Sequence, residues 1–205
     1  MNLDTELYID EYLKETKYIL SKIDYEEISK AIDVLVRVRE DGGRLFILGV
    51  GGSSATASHA VNDFRKICEI ETYSATENVA ELTAHTNDSG WENSLSNWLI
   101  ESKVNYNDVV LFLSVGGGDV RKNISINLIE AMDEATIRDA STIAIVGRDG
   151  GYLRQRAYAT ILIPPIYPKR ITPHTEEIHG VILHLLASSP QLKKSETTWE
   201  SIGNK

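Results

Sequence analysis

The sequence predicts an α/β fold, a three-layer doubly wound parallel sheet preceded by a pair of helices. Two observations predict it. Four short apolar runs, at residues 45–48, 109–113, 142–146 and 160–163, recur along the chain, each apolar on both faces, the pattern of strands covered by helices on either side. Each is followed by Gly, Ser or Pro and then by a helix-like stretch, so strand and helix alternate.

The elements follow in order. Residues 5–40 read as two helices, with Tyr8, Tyr12, Leu13, Ile19 and Leu20, then Ile28, Ile32, Leu35 and Val36, on a period near 3.6. The break falls near Asp24, a residue suited to cap the second helix. A weaker fifth strand is expected at 71–73. Helices are expected at 53–67, 79–86, 91–101, 119–135, 152–156 and 172–188. Residues 1–189 form one domain. From about Pro190 the chain turns polar, and 190–205 is expected to be a loose tail. The apolar stripe of the N-terminal pair (1–40) calls for a covering surface. A second subunit supplies one, so a homo-oligomer is expected. The alternative is that the pair folds onto its own sheet.

The chain has 205 residues, 42% apolar and 25% charged, with a net charge of −9. No dense basic run is present, which argues against nucleic acid or an anionic membrane surface as the partner. No apolar run approaches the roughly 20 residues that cross a bilayer. The N-terminus is acidic and lacks a signal-peptide core. The single Cys68 excludes an intrachain disulfide and reads as a small core residue; a cytoplasmic setting follows as the expectation.

Two glycine turns carry the chemistry. Gly49-Val50-Gly51-Gly52-Ser53-Ser54 follows the first strand and opens a helix. Such a turn aims backbone N–H groups and a helix N-terminus at an anion, typically phosphate. Ser53 and Ser54 either hold a phosphate oxygen or cap the helix. Ser114-Val115-Gly116-Gly117-Gly118-Asp119 repeats this placement after a later strand. Its three glycines suggest a backbone that closely approaches a ligand. Asp119 fits a cap aimed at the N–H of Arg121 or Lys122, whereas its charge facing a phosphate would repel it. Asn87-Asp88-Ser89-Gly90 is a turn by composition.

His59 and Asp63 are four apart and share a helix face. Glu176 and His184 are eight apart on the last apolar helix, with Gly180 on the same face leaving room. Two faces, each with one imidazole and one carboxylate, suit a metal ion.

Together these residues resemble the bacterial phosphoheptose isomerases of the sugar-isomerase (SIS) domain class. The resemblance runs from the N-terminal helices to about Leu186. It rests on Gly49-Val50-Gly51-Gly52-Ser53 with His59 and Asp63, on Leu82-Thr83-Ala84-His85-Thr86-Asn87-Asp88, on Val146-Gly147-Arg148-Asp149-Gly150-Gly151, and on Glu177-Ile178-His179 leading to His184. It implies a flavodoxin-like sheet, a homotetramer with active sites between subunits, and an aldose–ketose isomerisation through an enediol. The implied substrate is D-sedoheptulose 7-phosphate. The implied product, D-glycero-D-manno-heptose 7-phosphate, would feed nucleotide-activated heptose for surface polysaccharide. The implied metal, usually zinc, takes His59, Asp63, Glu176 and His184. The catalytic set is Asp63 or Glu176 as the carboxylate, with His184. Sugar-phosphate contacts are implied at Gly51, Gly52, Ser53, Ser54, Asn87, Asp88, Ser114, Gly116, Gly117, Gly118 and Asp119.

The chain departs from the family at several of these positions. Val50 replaces an asparagine, Asp63 a glutamate and Glu176 a glutamine. Of the hydroxyl-rich second loop only Ser114 remains, with Val115, Gly116 and Asp119 replacing the others. Two other readings stand beside the enzyme. One is a non-enzymatic SIS scaffold that binds the bacterial replication initiator, and the other is a sugar-phosphate sensor.

Overall fold

A computed structural model of the chain describes residues 3–197. Its centre is a five-stranded, all-parallel sheet: β1 (Arg44–Gly49), β2 (Glu71–Tyr73), β3 (Val109–Ser114), β4 (Ser141–Val146) and β5 (Ala159–Leu162), in the order β2-β1-β3-β4-β5. Leu45 pairs with Val109 and Gly49 with Leu113, and β4 continues with Val109 opposite Ser141. Alternate strand residues feed two cores. Leu45, Ile47, Leu111, Ile143 and Ile145 point to one face, while Phe46, Leu48, Val110, Phe112 and Ala144 point to the other. This two-residue alternation between buried faces is why the strands read as unbroken apolar runs.

The first core is roofed by α2 (Tyr25–Glu40), α3 (Gly52–Cys68) and α8 (Ile171–Ser188), with the end of α1 (Leu3–Leu20) at its edge. The second is roofed by α5 (Ser94–Glu101), α6 (Ile126–Ile137) and α7 (Gly151–Arg156). The remaining helix, α4 (Val79–Ser89), packs on α5. The expected three layers are therefore present, as is the Asp24 cap, whose side chain accepts from Glu26 N at 2.9 Å. Strand order reverses between β1 and β3, and in such sheets ligands bind beyond the strand ends at that switch. Both glycine turns lie there. Among the described residues, no helix is long and apolar enough to cross a membrane.

Four expectations are corrected. The helix expected at 119–135 starts only at Ile126. Asp119 and Ile124 instead exchange two backbone hydrogen bonds across a small loop, each 3.0 Å. Asn123 and Ser125 adopt positive φ, and the Asp119 side chain bonds backbone N–H groups ahead of it, a local alternative to helix. Residues 87–89, expected as a turn, instead end α4, with Gly90 as its cap at φ 81°. Residues 190–195 are docked: Leu192 is buried, Arg39 Nη1 donates to the carbonyls of Gln191 and Leu192, and the N–H groups of Lys194 and Ser195 bond Ile67 O. Residues 198–205 of the expected tail lie outside the described residues. Finally, α2 buries Ala31, Val34 and Leu35 on its own chain's core and exposes Tyr25 at its start, so it is α1, with Leu3, Leu7 and Leu13, that leaves most of the exposed apolar surface of the pair. Cys68 is buried, and burial pushes its thiol up to about 12, in keeping with a core residue.

Candidate active site

Helices α3 and α8 lie side by side, and their facing residues make the first half of the site. His59 Nε2 and His184 Nε2 stand 3.0 Å apart. Asp63 Oδ2 lies 3.7 Å from the first and 3.4 Å from the second. Asn62 Nδ2 donates to the other carboxylate oxygen, Oδ1, at 3.2 Å, leaving Oδ2 turned to the imidazoles. Metal–ligand bonds of about 2.0–2.1 Å place neighbouring donors of a tetrahedron about 3.3–3.4 Å apart. The three atoms therefore fit one zinc-sized ion with its fourth position open. The histidine side chains are 58% and 60% exposed while Asp63 is 16% exposed, so the opening faces solvent.

Glu176, expected as a fourth ligand, is not in this cluster. Its carboxylate lies over Gly52 instead, where a Cβ would come within 2.5 Å of Oε2. Two physical reasons account for this. Residues 176 and 184 are separated by about 12 Å along the helix axis. The N-terminal end of α3, where Gly52 sits, also attracts a carboxylate through the helix dipole. Gly52 faces Glu176 and His59 faces His184, so the helices run in the same sense with a groove between them. Nothing lies within 4 Å of the Cβ position at Gly180, so the expected room is present.

The second half of the candidate site is a cleft of about 940 Å³ beyond the ends of β1, β3 and β4; Ser53 of α3 lines it, whereas His59, Asp63 and His184 do not. Of the residues expected to bind substrate, Ser53, Ser114, Gly116, Gly118 and Asp119 line it. Gly51, Gly52, Ser54, Gly117, Asn87 and Asp88 do not. Ser54 Oγ donates back to Gly51 O at 2.8 Å, which is not a cap: the N-cap of α3 is Gly51, and no side chain caps that helix. Asn87 Nδ2 donates to Asp88 Oδ1 near the end of α4. Gly117 is glycine because its Cα packs on the Gly150 carbonyl. Its own N–H is used by Ser114 Oγ at 3.0 Å, and its carbonyl accepts from Leu153 N at 2.9 Å. For Gly117 the close approach is to the turn before α7, not to a ligand.

Arg121, Lys122 and Arg148 also line the cleft. None was singled out as a binding residue from the sequence; only the Gly147-Arg148-Asp149-Gly150 motif gave a signal. Asp119 Oδ1 accepts from the N–H groups of Arg121 (3.0 Å) and Lys122 (3.1 Å), as expected of its cap, though within a loop and not a helix. Lys122 Nζ lies 3.2 Å from Asp119 Oδ2 and holds the Asp119 carboxyl below the usual range. The charge that would repel a phosphate is thus opposed by a neighbouring ammonium.

A buried polar cluster seats the start of α8. Glu15 of α1 receives Arg170 Nε at 2.6 Å and a second Arg170 hydrogen bond from Nη2. His174 sits between Glu15 Oε2 and Glu177 Oε1, 2.8 Å from each, and Tyr12 Oη donates to Glu177 Oε2. Hydrogen bonding from Arg170 outweighs burial and takes the Glu15 carboxyl down to about 2. Farther along, buried His179 has Nε2 3.1 Å from Ile145 O. Burial lowers its pKa to about 4, so it is a neutral core residue.

Comparison with known proteins identifies the family of the chain. A family model described as the SIS domain matches residues 11–147. The phosphoheptose isomerase of Helicobacter hepaticus is 32% identical over 78% of this chain and 78% of its own length. That of Syntrophotalea carbinolica is 28% identical over 88% of this chain and 91% of its own. Among solved structures, the phosphoheptose isomerase of Neisseria gonorrhoeae superposes with a TM-score of 0.77 at 25% identity, covering 89% of this chain and 97% of that one. The chain belongs to the SIS domain family, in the branch that contains the phosphoheptose isomerases.

Proposed function

We propose that this chain is a metal-dependent aldose–ketose isomerase that converts D-sedoheptulose 7-phosphate to D-glycero-D-manno-heptose 7-phosphate, supplying nucleotide-activated heptose for surface polysaccharide in the cytoplasm. The observation that carries the reading is the convergence of His59, Asp63 and His184 within one ligand sphere, the first two on the helix whose start, at Ser53, lines the cleft at the sheet's switch point. A divalent ion held by these three, zinc by the donor set, would supply positive charge that polarises the substrate's carbonyl and hydroxyl oxygens.

The chain's own groups divide the remaining work. Ser53, Ser114, Arg148 and Lys122 line the cleft, which suits the phosphate end. Ser53 and His59 are six residues apart on α3, about 9 Å along its axis. Asp63 moves the proton between C1 and C2, and His184, 3.4 Å from Asp63 Oδ2, exchanges the proton on the oxygen side. Glu176, with its carboxylate over Gly52, sets charge beside the groove. The exposed Leu3, Leu7 and Leu13 of α1 support assembly into a homotetramer.

Retention of the two histidines and Asp63 in one cluster favours turnover over the scaffold and sensor readings. The test is proton NMR in D₂O with sedoheptulose 7-phosphate and a panel of other ketose phosphates. Turnover with solvent deuterium entering at C2 supports the reading. Absence of both turnover and exchange with every substrate, in metal-loaded protein, overturns it.

A further inference from the structure

A second cluster of ligating groups lies away from the cleft, between α4 and α5. Glu81 and His85 are one turn apart on α4 and share a face; Glu101 is the last residue of α5. One ligand atom from each lies within 4.8 Å of the others. The His85 side chain is only 10% exposed, and its Nε2 is buried without a hydrogen bond. That nitrogen stands 3.5 Å from Glu101 Oε2, near the spacing of about 3.3–3.4 Å between neighbouring donors of a tetrahedral zinc site. Trp98 Nε1 donates to Glu81 Oε2 at 3.2 Å, an outer hydrogen bond of the kind that orients a ligating carboxylate.

We propose that Glu81, His85 and Glu101 form a second divalent-cation site that ties α4 to α5. The buried orphan nitrogen is the pointer. No hydrogen bond satisfies this buried nitrogen although a carboxylate oxygen stands 3.5 Å away, and a cation between the imidazole and the carboxylates would satisfy them together. The imidazole selects zinc, cobalt or another transition ion over magnesium or calcium, which prefer all-oxygen shells. Glu101 is 64% exposed and gives the ion its path from solvent. Water completes the shell. The site is independent of the isomerase reading, since it shares no residue with the α3–α8 groove.

The experiment uses the full chain carrying His59→Ala and His184→Ala, stripped with chelator and titrated with Co²⁺ and with Zn²⁺ by calorimetry and visible absorption. One equivalent is expected to bind, with the visible bands of low-symmetry Co²⁺. Zinc is expected to raise the thermal midpoint. Adding Glu101→Gln, a surface change that leaves the fold intact, should weaken binding at least tenfold, and His85→Gln should do the same. Absence of stoichiometric binding in the doubly substituted chain, or binding unchanged by Glu101→Gln and His85→Gln, overturns the proposal. Neither result bears on turnover by the unsubstituted protein, so the two readings fail separately.

Discussion

His59 and His184 are 125 positions apart in sequence, yet their Nε2 atoms meet at 3.0 Å across the α3–α8 groove. Such a contact between two exposed imidazoles adds little stability. His59→Ala and His184→Ala should therefore leave the thermal midpoint of the metal-stripped protein nearly unchanged. Each should release the ion of this groove and reduce turnover by about 10²-fold or more. Metal analysis and the NMR assay check both.

The two carboxylates of the groove separate by role. Asp63→Asn should lower kcat by about 10²–10⁴-fold, because Asp63 Oδ2 is the oxygen beside both imidazoles. Glu176→Gln should keep kcat within roughly tenfold, since its carboxylate lies over Gly52, outside the cluster. The reverse ranking would make Glu176 the proton carrier.

Gly180 offers a test in which stability and activity move oppositely. A Cβ there meets nothing within 4 Å, so Gly180→Ala should stabilise the helix by about 0.8–1.0 kcal/mol. Gly180→Leu should also fold, but its side chain enters the groove. KM for the sugar phosphate should rise roughly tenfold or more, equivalent to about 1.4 kcal/mol. Thermal melting and steady-state kinetics measure the two effects.

At the cleft, Asp119→Ser should keep the loop, because serine also accepts from backbone N–H groups. It should lower KM by roughly three- to tenfold through loss of one negative charge. Lys122→Ala should raise KM by a similar factor, since it leaves the Asp119 charge unopposed. Both effects should shrink at high salt.

Two buried groups contribute to the acid sensitivity. The folded-state pKa of His179 is depressed, to about 4 against an ordinary 6.5. Its contribution is complete above pH 6.5 and is lost as pH falls toward 4, where the unfolded chain binds the extra proton. Glu15, at about 2 against 4.5, contributes stability that is lost as pH falls from about 5 to about 2. Glu15→Gln should remove the lower part of this dependence and cost about 3 kcal/mol, by leaving Arg170 and His174 without their shared carboxylate. Urea titrations from pH 8 to pH 3 follow both.

Strands and most helices were legible because their signals are local. Apolar runs such as residues 109–113 read on both faces, and His59 and Asp63 reveal their common face by spacing alone. What escaped was set by tertiary contact. The left-handed backbone at Asn123 and Ser125 delays α6, and no local composition announces it. Gly117 reads as a ligand contact until the Gly150 carbonyl is seen against it. Glu176 shares a helix face with His184, but the dipole at Gly52 draws its carboxylate elsewhere. The cations Arg121, Lys122 and Arg148 line one cleft only because β3 and β4 are neighbours in the sheet.

The Glu15–Arg170 pair spans 155 positions and joins the beginning of the described chain to its last helix. During synthesis, α1 emerges long before Arg170 does, and its buried carboxylate waits for that residue before it finds this partner. An isolated helix of 18 residues is marginal in water, and closing so long a loop is slow compared with forming local contacts. The seat of α8 at the cleft rim therefore hangs on one of the longest-range side-chain contacts in the molecule, and the site cannot be complete before that contact forms.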